Sequence, residues 1–182
     1  MNLPNTLTII RVLLIPVFVI FILDHSYLYA LITFAIAGIT DGMDGLLARL
    51  TRQKTELGAY LDPIADKLLI VSAYITLAII EIIPSWLAVI VIIRDVIIML
   101  GILVMLLTSY HPSIRPSFVS KMTTTFQIIT VLLALLVGYY PYFSPLTPVA
   151  IYITTLLTLL SGAHYIYVGT RILNQKKSTR TS

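Results

Sequence analysis

Six long apolar stretches dominate this 182-residue chain and limit the folds open to it. A helix needs roughly 20 apolar residues to cross about 30 Å of hydrocarbon, and each stretch approaches or exceeds that length. The stretches lie at 7–23, 28–50, 62–80, 85–108, 118–139 and 146–170. With 58% apolar and 11% charged residues, the chain departs strongly from a soluble domain. The sequence therefore predicts an all-α integral membrane protein with six transmembrane helices.

The sequence predicts a single domain. No long linker, internal repeat or shift of composition divides it, so we expect a single membrane domain over 1–182, with a basic cytoplasmic tail at 171–182. The start of the chain lacks the basic region and cleavage site of a secretory signal, so the first helix is expected to be retained. There are no cysteines, which excludes disulfides and thiolate metal sites. Nothing in the sequence supports binding of nucleic acid.

The basic residues predict the orientation. Lys and Arg in short loops favour the cytoplasmic side of a membrane. With six helices the two termini share a side, and that side would carry most of the basic residues of the loops and tail. These residues are Arg52, Lys54, Arg115, Arg171, Lys176, Lys177 and Arg180. The opposite loops, around 24–27, 81–85 and 139–147, contain no Lys or Arg. Both termini are therefore predicted to be cytoplasmic.

Four aspartates stand at helical spacings in or beside the second and third apolar stretches. Asp41, Asp44, Asp62 and Asp66 are half of the chain's eight acidic residues. An ionised carboxylate is costly in such a stretch unless a cation compensates it. Residues three or four apart share a helix face, so two short rows of carboxylates can face each other. The polar segment 50–60 is predicted to be a cytoplasmic turn. Asp41 lies nine residues before Leu50, which places it roughly 14 Å below the cytoplasmic end of the second helix.

Carboxylate oxygens suit hard cations such as Mg²⁺, which bridges protein acids to substrate phosphates. Four carboxylates can hold two such ions, and a pair of ions stabilises displacements at phosphorus. Gly45 and Ala48 keep the acidic face free of bulk, and Arg49 offers a cation to phosphate. Two plainer interpretations remain open. Arg49, Lys67 and Arg94 could neutralise the acids without a metal, and small residues are common where helices simply pack.

The same residues carry a resemblance to a known family. The pattern Asp41-x2-Asp44-Gly45-x2-Ala48-Arg49, eight residues, then Gly58-x3-Asp62-x3-Asp66 matches every fixed position of the CDP-alcohol phosphotransferase signature. The likeness extends along the chain to Asn5-x2-Thr8-x2-Arg11, Arg94-Asp95 and Lys121. Members of this family typically move a substituted phosphate from a CDP-linked donor to an alcohol and release CMP.

The resemblance implies roles for these residues. Asp41, Asp44, Asp62 and Asp66 would bind two Mg²⁺ or Mn²⁺ ions, and Asp66 would also act as general base on the acceptor hydroxyl. A CDP site would be lined by Asp41, Gly45, Ala48, Arg49 and Gly58. The resemblance further implies CDP-diacylglycerol as donor, a glycerol-type acceptor and a homodimer. We expect a multi-pass protein of the bacterial inner membrane whose active site faces the cytoplasm.

The acceptor alcohol is open between two choices. The segment Asn2-Leu3-Pro4-Asn5 with Arg11 looks like family members that use glycerol-based acceptors. Phosphatidylglycerophosphate synthases typically have Arg-Glu and a second arginine nine positions after the first, whereas this chain has Arg94-Asp95 and Leu103. The segments 93–96 and 115–121 look like those of eukaryotic-type cardiolipin synthases. We therefore favour phosphatidylglycerol as acceptor, with glycerol 3-phosphate as the alternative. The candidate residues for binding the acceptor phosphate are Asn5, Thr8, Arg11, Arg94, Arg115 and Lys121.

Arg94 is the most informative of these candidates, because a charge inside an apolar helix is costly. It is expected either to contact substrate and organise the site or to form a structural ion pair with a nearby acid. Adjacent helix residues point in different directions, so Arg94 and Asp95 are predicted not to pair with each other. A remote alternative for the whole chain is an ion transporter using the acidic cluster. The distal halves of the second and third helices carry no charge, which disfavours that alternative.

Overall fold

A computed structural model describes the backbone of residues 3–51, 56–107 and 118–180. Side chains are described for residues 8–40, 65–101 and 118–170. Within these ranges the chain forms six α-helices and one 3₁₀ turn, with no strand. The helices are α1 (Leu3–Leu23), α2 (Tyr27–Thr51), α3 (Glu56–Ile79), α4 (Ser85–Leu107), α5 (Phe118–Tyr139) and α6 (Leu146–Arg180), and the turn is Pro141–Phe143. The prediction of an all-α chain with six helices is confirmed.

Two helices extend beyond the apolar stretches that predicted them. Helix α3 begins at Glu56 rather than at 62, and α6 continues to Arg180 rather than ending near 170. Hydropathy marks only the part of a helix that can lie in hydrocarbon, whereas the backbone hydrogen bonds continue into polar sequence. At 1.5 Å per residue the 35 residues of α6 are about 52 Å long, well beyond a bilayer's hydrocarbon thickness.

The described helices carry membrane-like surfaces. By length and composition, Phe118–Tyr139 and Leu146–Thr170 could each cross a membrane, and Thr8–Leu23 and Tyr27–Thr40 are shorter apolar helices. Large apolar side chains are exposed on the outside of the bundle, among them Leu13 (63%), Ile39 (62%), Leu156 (60%) and Ile79 (66%). A soluble monomer rarely exposes so much apolar surface. These features are consistent with a membrane protein.

The interior is built from apolar contacts along the length of the bundle. Helix α1 packs against α2 and α3, α4 packs against α3 and α6, and α5 packs against α2, α3 and α6. The rings of Phe18 and Phe34 lie 5.4 Å apart at the contact of α1 and α2. Other fully buried side chains complete the core. They include Ile22, Tyr74, Leu77, Leu87, Val91, Val131 and Leu135.

Hydroxyl groups join α5 to α6. Thr130 Oγ1 lies 2.8 Å from Thr154 Oγ1, and Thr154 in turn donates to the Phe126 carbonyl at 3.1 Å. One level along, Thr123 donates to the Leu157 carbonyl at 3.1 Å. Such interhelical hydrogen bonds hold helices together where lipid offers no hydrophobic driving force. They fix the register of the helix pair that contributes Ser120 and Ser161 to the site below.

Three helix connections meet at the end of the bundle that lies opposite the acidic motif. We call this end the distal end. The connections after α3 and after α5 line one cavity of about 520 Å³ through Glu81, Ser85 and Ser144. The connection after α1 joins them, because the Tyr27 ring lies against Gly138 near the end of α5. The three loops without Lys or Arg therefore lie together.

Candidate active site

The backbone carries the acidic motif on two helices. Helix α2 is continuous to Thr51 and α3 begins at Glu56, so all fixed motif positions are helical. On helical backbone, positions 41 and 44 share a face of α2, and positions 62 and 66 share a face of α3. The predicted contact between the two acidic rows stays a prediction, because most motif side chains lie outside the described ranges. These are the side chains of Asp41, Asp44, Gly45, Ala48, Arg49, Gly58 and Asp62.

Asp66 is the motif acid whose side chain is described. It is half-buried, and on α3 it lies between Ala65, which is buried, and Lys67, which is partly exposed. Among the described side chains no three acidic or His residues form a metal cluster. The chemistry of the four motif carboxylates still fits a hard divalent cation, since all their donors are anionic oxygens. The Asp66 carboxylate is only half-buried, so it remains partly accessible.

Beside Asp66 the structure shows a group of charged and hydroxyl side chains from four helices, which we call the Asp95 cluster. Its members are Lys67 on α3, Arg94 and Asp95 on α4, Ser120 on α5 and Ser161 on α6. Lys67 Nζ donates to both Asp95 carboxylate oxygens at 2.9 Å. Arg94 Nη1 donates to Asp95 Oδ1 at 2.6 Å. Asp95 is thus bonded by two cations while only 3% of the residue is exposed.

The guanidinium of Arg94 joins α4 to the last two helices. Its Nη2 donates to Ser120 Oγ at 2.7 Å and to Ser161 Oγ at 2.9 Å. Its Nε also approaches Ser161 Oγ at 3.2 Å. Arg94 is itself only 3% exposed, so its charge is compensated inside the protein. These contacts make Arg94 an organiser of three helices.

The prediction that Arg94 and Asp95 do not pair is wrong, because the two form an ion pair. The prediction considered only the 100° between adjacent positions on a helix. A long arginine side chain can curve back along the helix surface, and here the two serines hold its guanidinium on the side where Asp95 lies. Burial favours this closure, since neither charge can be left without compensation in an apolar interior.

The remaining candidates for the acceptor site are placed differently from one another. Thr8 and Arg11, one helical turn apart on α1, are both buried, with 1% and 0% exposed. Lys121, near the start of α5, is exposed. The side chains of Asn5 and Arg115 lie outside the described ranges. The structure therefore places a buried cation on α1 and an accessible one on α5.

Lys67 and Asp95 are site residues that the sequence did not single out. Their contact joins positions 28 residues apart, which no motif indicated. A signal was present, because a lysine and an aspartate inside neighbouring apolar helices each require an opposite charge. In the sequence, Asp95 stands out only as the neighbour of Arg94, and Lys67 only as a possible partner of the motif acids.

The acidic motif lies on two helices of an apolar helical bundle, and its carboxylates suit metal-assisted chemistry on phosphates. A family model for CDP-alcohol phosphatidyltransferase matches residues 1–160, and the chain belongs to this family.

Curated relatives of two kinds match nearly the whole chain. Cardiolipin synthase (CMP-forming) from Rattus norvegicus is 33% identical over 182 residues, which cover 91% of this chain and 60% of the relative. CDP-diacylglycerol–glycerol-3-phosphate 3-phosphatidyltransferase from Haemophilus influenzae is 37% identical over 174 residues, covering 92% of this chain and 93% of the relative. A probable phosphatidylglycerophosphate synthase from Mycobacterium tuberculosis is 37% identical over 175 residues, covering 91% and 80%. The chain thus spans less than two thirds of the rat enzyme.

Proposed function

We propose that this protein transfers a phosphatidyl group from CDP-diacylglycerol to the hydroxyl of a glycerol-type acceptor and releases CMP. The observation that carries the proposal is the complete acidic motif, from Asp41 to Asp66, on the helical backbone of α2 and α3. Membership of the family supports the same reaction. An ion transporter would require neither the nucleotide-binding pattern nor the family match.

The proposed setting is a membrane with six spans and both termini on the cytoplasmic side. Support comes from the apolar exterior of the bundle and from the grouping of the three loops without Lys or Arg at the distal end. In this orientation the motif lies near the cytoplasmic surface. The acyl chains of the donor can stay in the bilayer while its nucleotide reaches the cytosolic opening. We further propose a homodimer in the bacterial inner membrane.

The proposed chemistry uses the motif residues in separate roles. Asp41, Asp44, Asp62 and Asp66 would hold two Mg²⁺ or Mn²⁺ ions, which neutralise charge on the diphosphate when bound. Arg49 binds a phosphate of the donor, and Gly45, Ala48 and Gly58 leave room for its nucleotide.

Proton transfer falls to Asp66. One of its carboxylate oxygens accepts the proton of the acceptor hydroxyl while the hydroxyl oxygen forms a bond to the lipid phosphorus. The bridging phosphorus–oxygen bond to CMP breaks in the same displacement, and its electron pair leaves with CMP.

Phosphatidylglycerol is the acceptor we favour. Its phosphodiester carries one negative charge, whereas the phosphate of glycerol 3-phosphate carries close to two and calls for more cations. Lys67 and Arg94 are both bonded to Asp95, and position 103 is Leu103 rather than an arginine. Arg94 would then organise the acceptor site. Thr8, Arg11 and Lys121, with Asn5 and Arg115, remain the proposed ligands of the acceptor phosphate.

Glycerol 3-phosphate is the second candidate, and a specific observation favours it. The chain spans 93% of the Haemophilus influenzae relative that is named for this acceptor, but only 60% of the rat cardiolipin synthase. A match over nearly the whole length of both proteins favours a shared architecture and a shared acceptor.

An acceptor competition tests the proposal. Purified protein receives labelled CDP-diacylglycerol and Mg²⁺ with either phosphatidylglycerol or glycerol 3-phosphate, and the lipid products are separated. We expect cardiolipin only with phosphatidylglycerol, and we expect Asp66→Asn to lower the rate at least about 100-fold, as loss of a general base does. Phosphatidylglycerophosphate as the product would select the second candidate. No transfer to either acceptor, with CDP-diacylglycerol intact, would overturn the proposed reaction.

A further inference from the structure

The Asp95 cluster includes Lys67, the residue next to the proposed base Asp66, and holds its side chain in place. Lys67 follows Asp66 directly on α3, and its ammonium reaches across to α4, where it bonds both oxygens of Asp95. The side chain of Lys67 is 24% exposed, whereas that of Asp95 is 4% exposed. The contact therefore anchors the middle of α3 to a buried point on α4.

The anchor itself is held from two further helices. Arg94 bonds Asp95 at 2.6 Å and is in turn bonded to Ser120 of α5 and Ser161 of α6. The aliphatic part of Arg94 lies against α6 beside Gly162. Asp95 thus cannot move alone: a shift of its carboxylate would break charge-assisted bonds in a buried setting.

Such an anchor acts mainly on the rotation of α3 about its own axis. Lys67 and Asp66 are about 100° apart around the helix, so fixing the azimuth of one fixes that of the other. Side-chain ends lie about 5–6 Å from the axis, so a rotation of about 10° displaces a carboxylate by about 1 Å. A displacement of that size can cost about 100-fold in rate when the group must meet a reacting hydroxyl.

We propose that Asp95 is a positioning residue of the reaction, acting through Lys67 to hold Asp66 at the angle where it accepts the acceptor's proton. This inference rests on the proposed function. It differs from two other roles that the same contacts permit. A purely structural ion pair would affect stability alone, and a Lys67 that touched substrate would affect binding of substrate.

Two substitutions of Lys67 separate these roles. Lys67→Met keeps the length of the side chain and removes its charge, and the partial exposure of the position lets the protein fold. Lys67→Arg keeps the charge and can bond both Asp95 oxygens through its fork. We expect Lys67→Met to lower kcat about 10- to 100-fold, with KM for donor and acceptor changed less than about threefold. We expect Lys67→Arg to retain kcat within about fivefold.

Ser72→Ala is the matched control on the same helix. The Ser72 hydroxyl donates only to the Leu68 carbonyl within α3, so the variant loses one local hydrogen bond and leaves the cluster intact. Its kcat should equal that of the wild type. Thermal unfolding of each variant, measured in parallel, reports whether a lost rate is simply lost folding.

Asp95→Asn completes a double-mutant cycle. If Asp95 acts through Lys67, the double variant with Lys67→Met should lose no more rate than the more damaging single variant. Independent, additive losses would overturn the proposal, as would wild-type kcat in Lys67→Met or a change confined to KM. Should Asp95→Asn fail to fold, the Lys67→Met and Lys67→Arg pair decides alone. An inactive wild type would instead overturn the proposed function, and this inference with it.

Discussion

At the scale of single residues, Glu81 lies just after the end of α3 in a left-handed backbone conformation that favours glycine. Its φ is 61°, and the hydrogen bond from Ile82 N to Leu77 O, at 3.0 Å, closes the helix as a Schellman motif. The left-handed region costs a residue with a Cβ roughly 1–2 kcal/mol, partly offset by the greater unfolded-state freedom of glycine. Glu81→Gly should therefore stabilise the protein by about 0.5–1 kcal/mol, seen as a thermal midpoint raised by about 1–4 °C.

Glu81→Ala is the control for this prediction. It removes the same exposed charge but keeps the Cβ, so its midpoint should stay close to that of the wild type. Equal stabilisation by both substitutions would show that the charge of Glu81, and not its backbone conformation, carries the cost.

Single residues also mark how far the sequence could lead at the site. The aspartates of the motif could be placed on helix faces from their spacing, and the backbone of α2 and α3 is helical at those positions. The Asp95 cluster could not, because its contacts join residues of four helices whose relative rotation no local rule gives. For Arg94 and Asp95 the local rule was misleading, since packing against Ser120 and Ser161 decided where the guanidinium lies.

At the scale of helices, the contact between α5 and the start of α2 depends on Gly138. A Cβ added there would lie 2.6 Å from Cγ of the Tyr27 ring, too close for any real contact. The ring is not free to yield without loss, because the Tyr27 hydroxyl also bonds His25 Nδ1 at 2.8 Å. Gly138→Ala should therefore destabilise the protein by about 1–3 kcal/mol, as overpacking does, measured by thermal unfolding in detergent.

Gly38 provides the comparison for that substitution. It lies inside α2 with open space where a Cβ would be, so Gly38→Ala should leave stability unchanged or raise it by up to about 1 kcal/mol. Equal loss of stability in both variants would contradict the assigned packing of Tyr27 on Gly138.

The number and order of the helices could be predicted because an apolar stretch of spanning length has few alternatives. The ends of α3 and α6 could not, since polar residues such as Glu56 and Arg180 continue a helix without any hydropathy signal. That difference matters for the site. The early start of α3 puts Gly58 on the same continuous helix as Asp62 and Asp66 rather than in a turn.

At the scale of the whole molecule, the charged residues of the proposed site and the three loops of the distal end lie in different parts of the bundle. The acidic motif and the Asp95 cluster belong to one half, and the distal end is formed by three loops without Lys or Arg. A substrate with a lipid anchor and a charged head needs this separation, because the head must meet cations at a surface while the acyl chains stay in hydrocarbon. The orientation of the bundle in the membrane therefore decides which pool of substrate the site can reach.

The absence of cysteine makes that orientation directly measurable, since any introduced thiol is the only one in the chain. Ser144→Cys places a thiol at the exposed distal end, and Ser182→Cys places one at the C-terminus. With cytoplasmic termini, a membrane-impermeant maleimide should label Ser144→Cys on intact spheroplasts but label Ser182→Cys only after the membrane is opened. The reverse pattern would put the acidic motif on the outer side, where cytosolic CDP-diacylglycerol head groups do not reach. Labelling of both sites from outside would show that α6 does not cross the membrane, because α6 is the one helix between them.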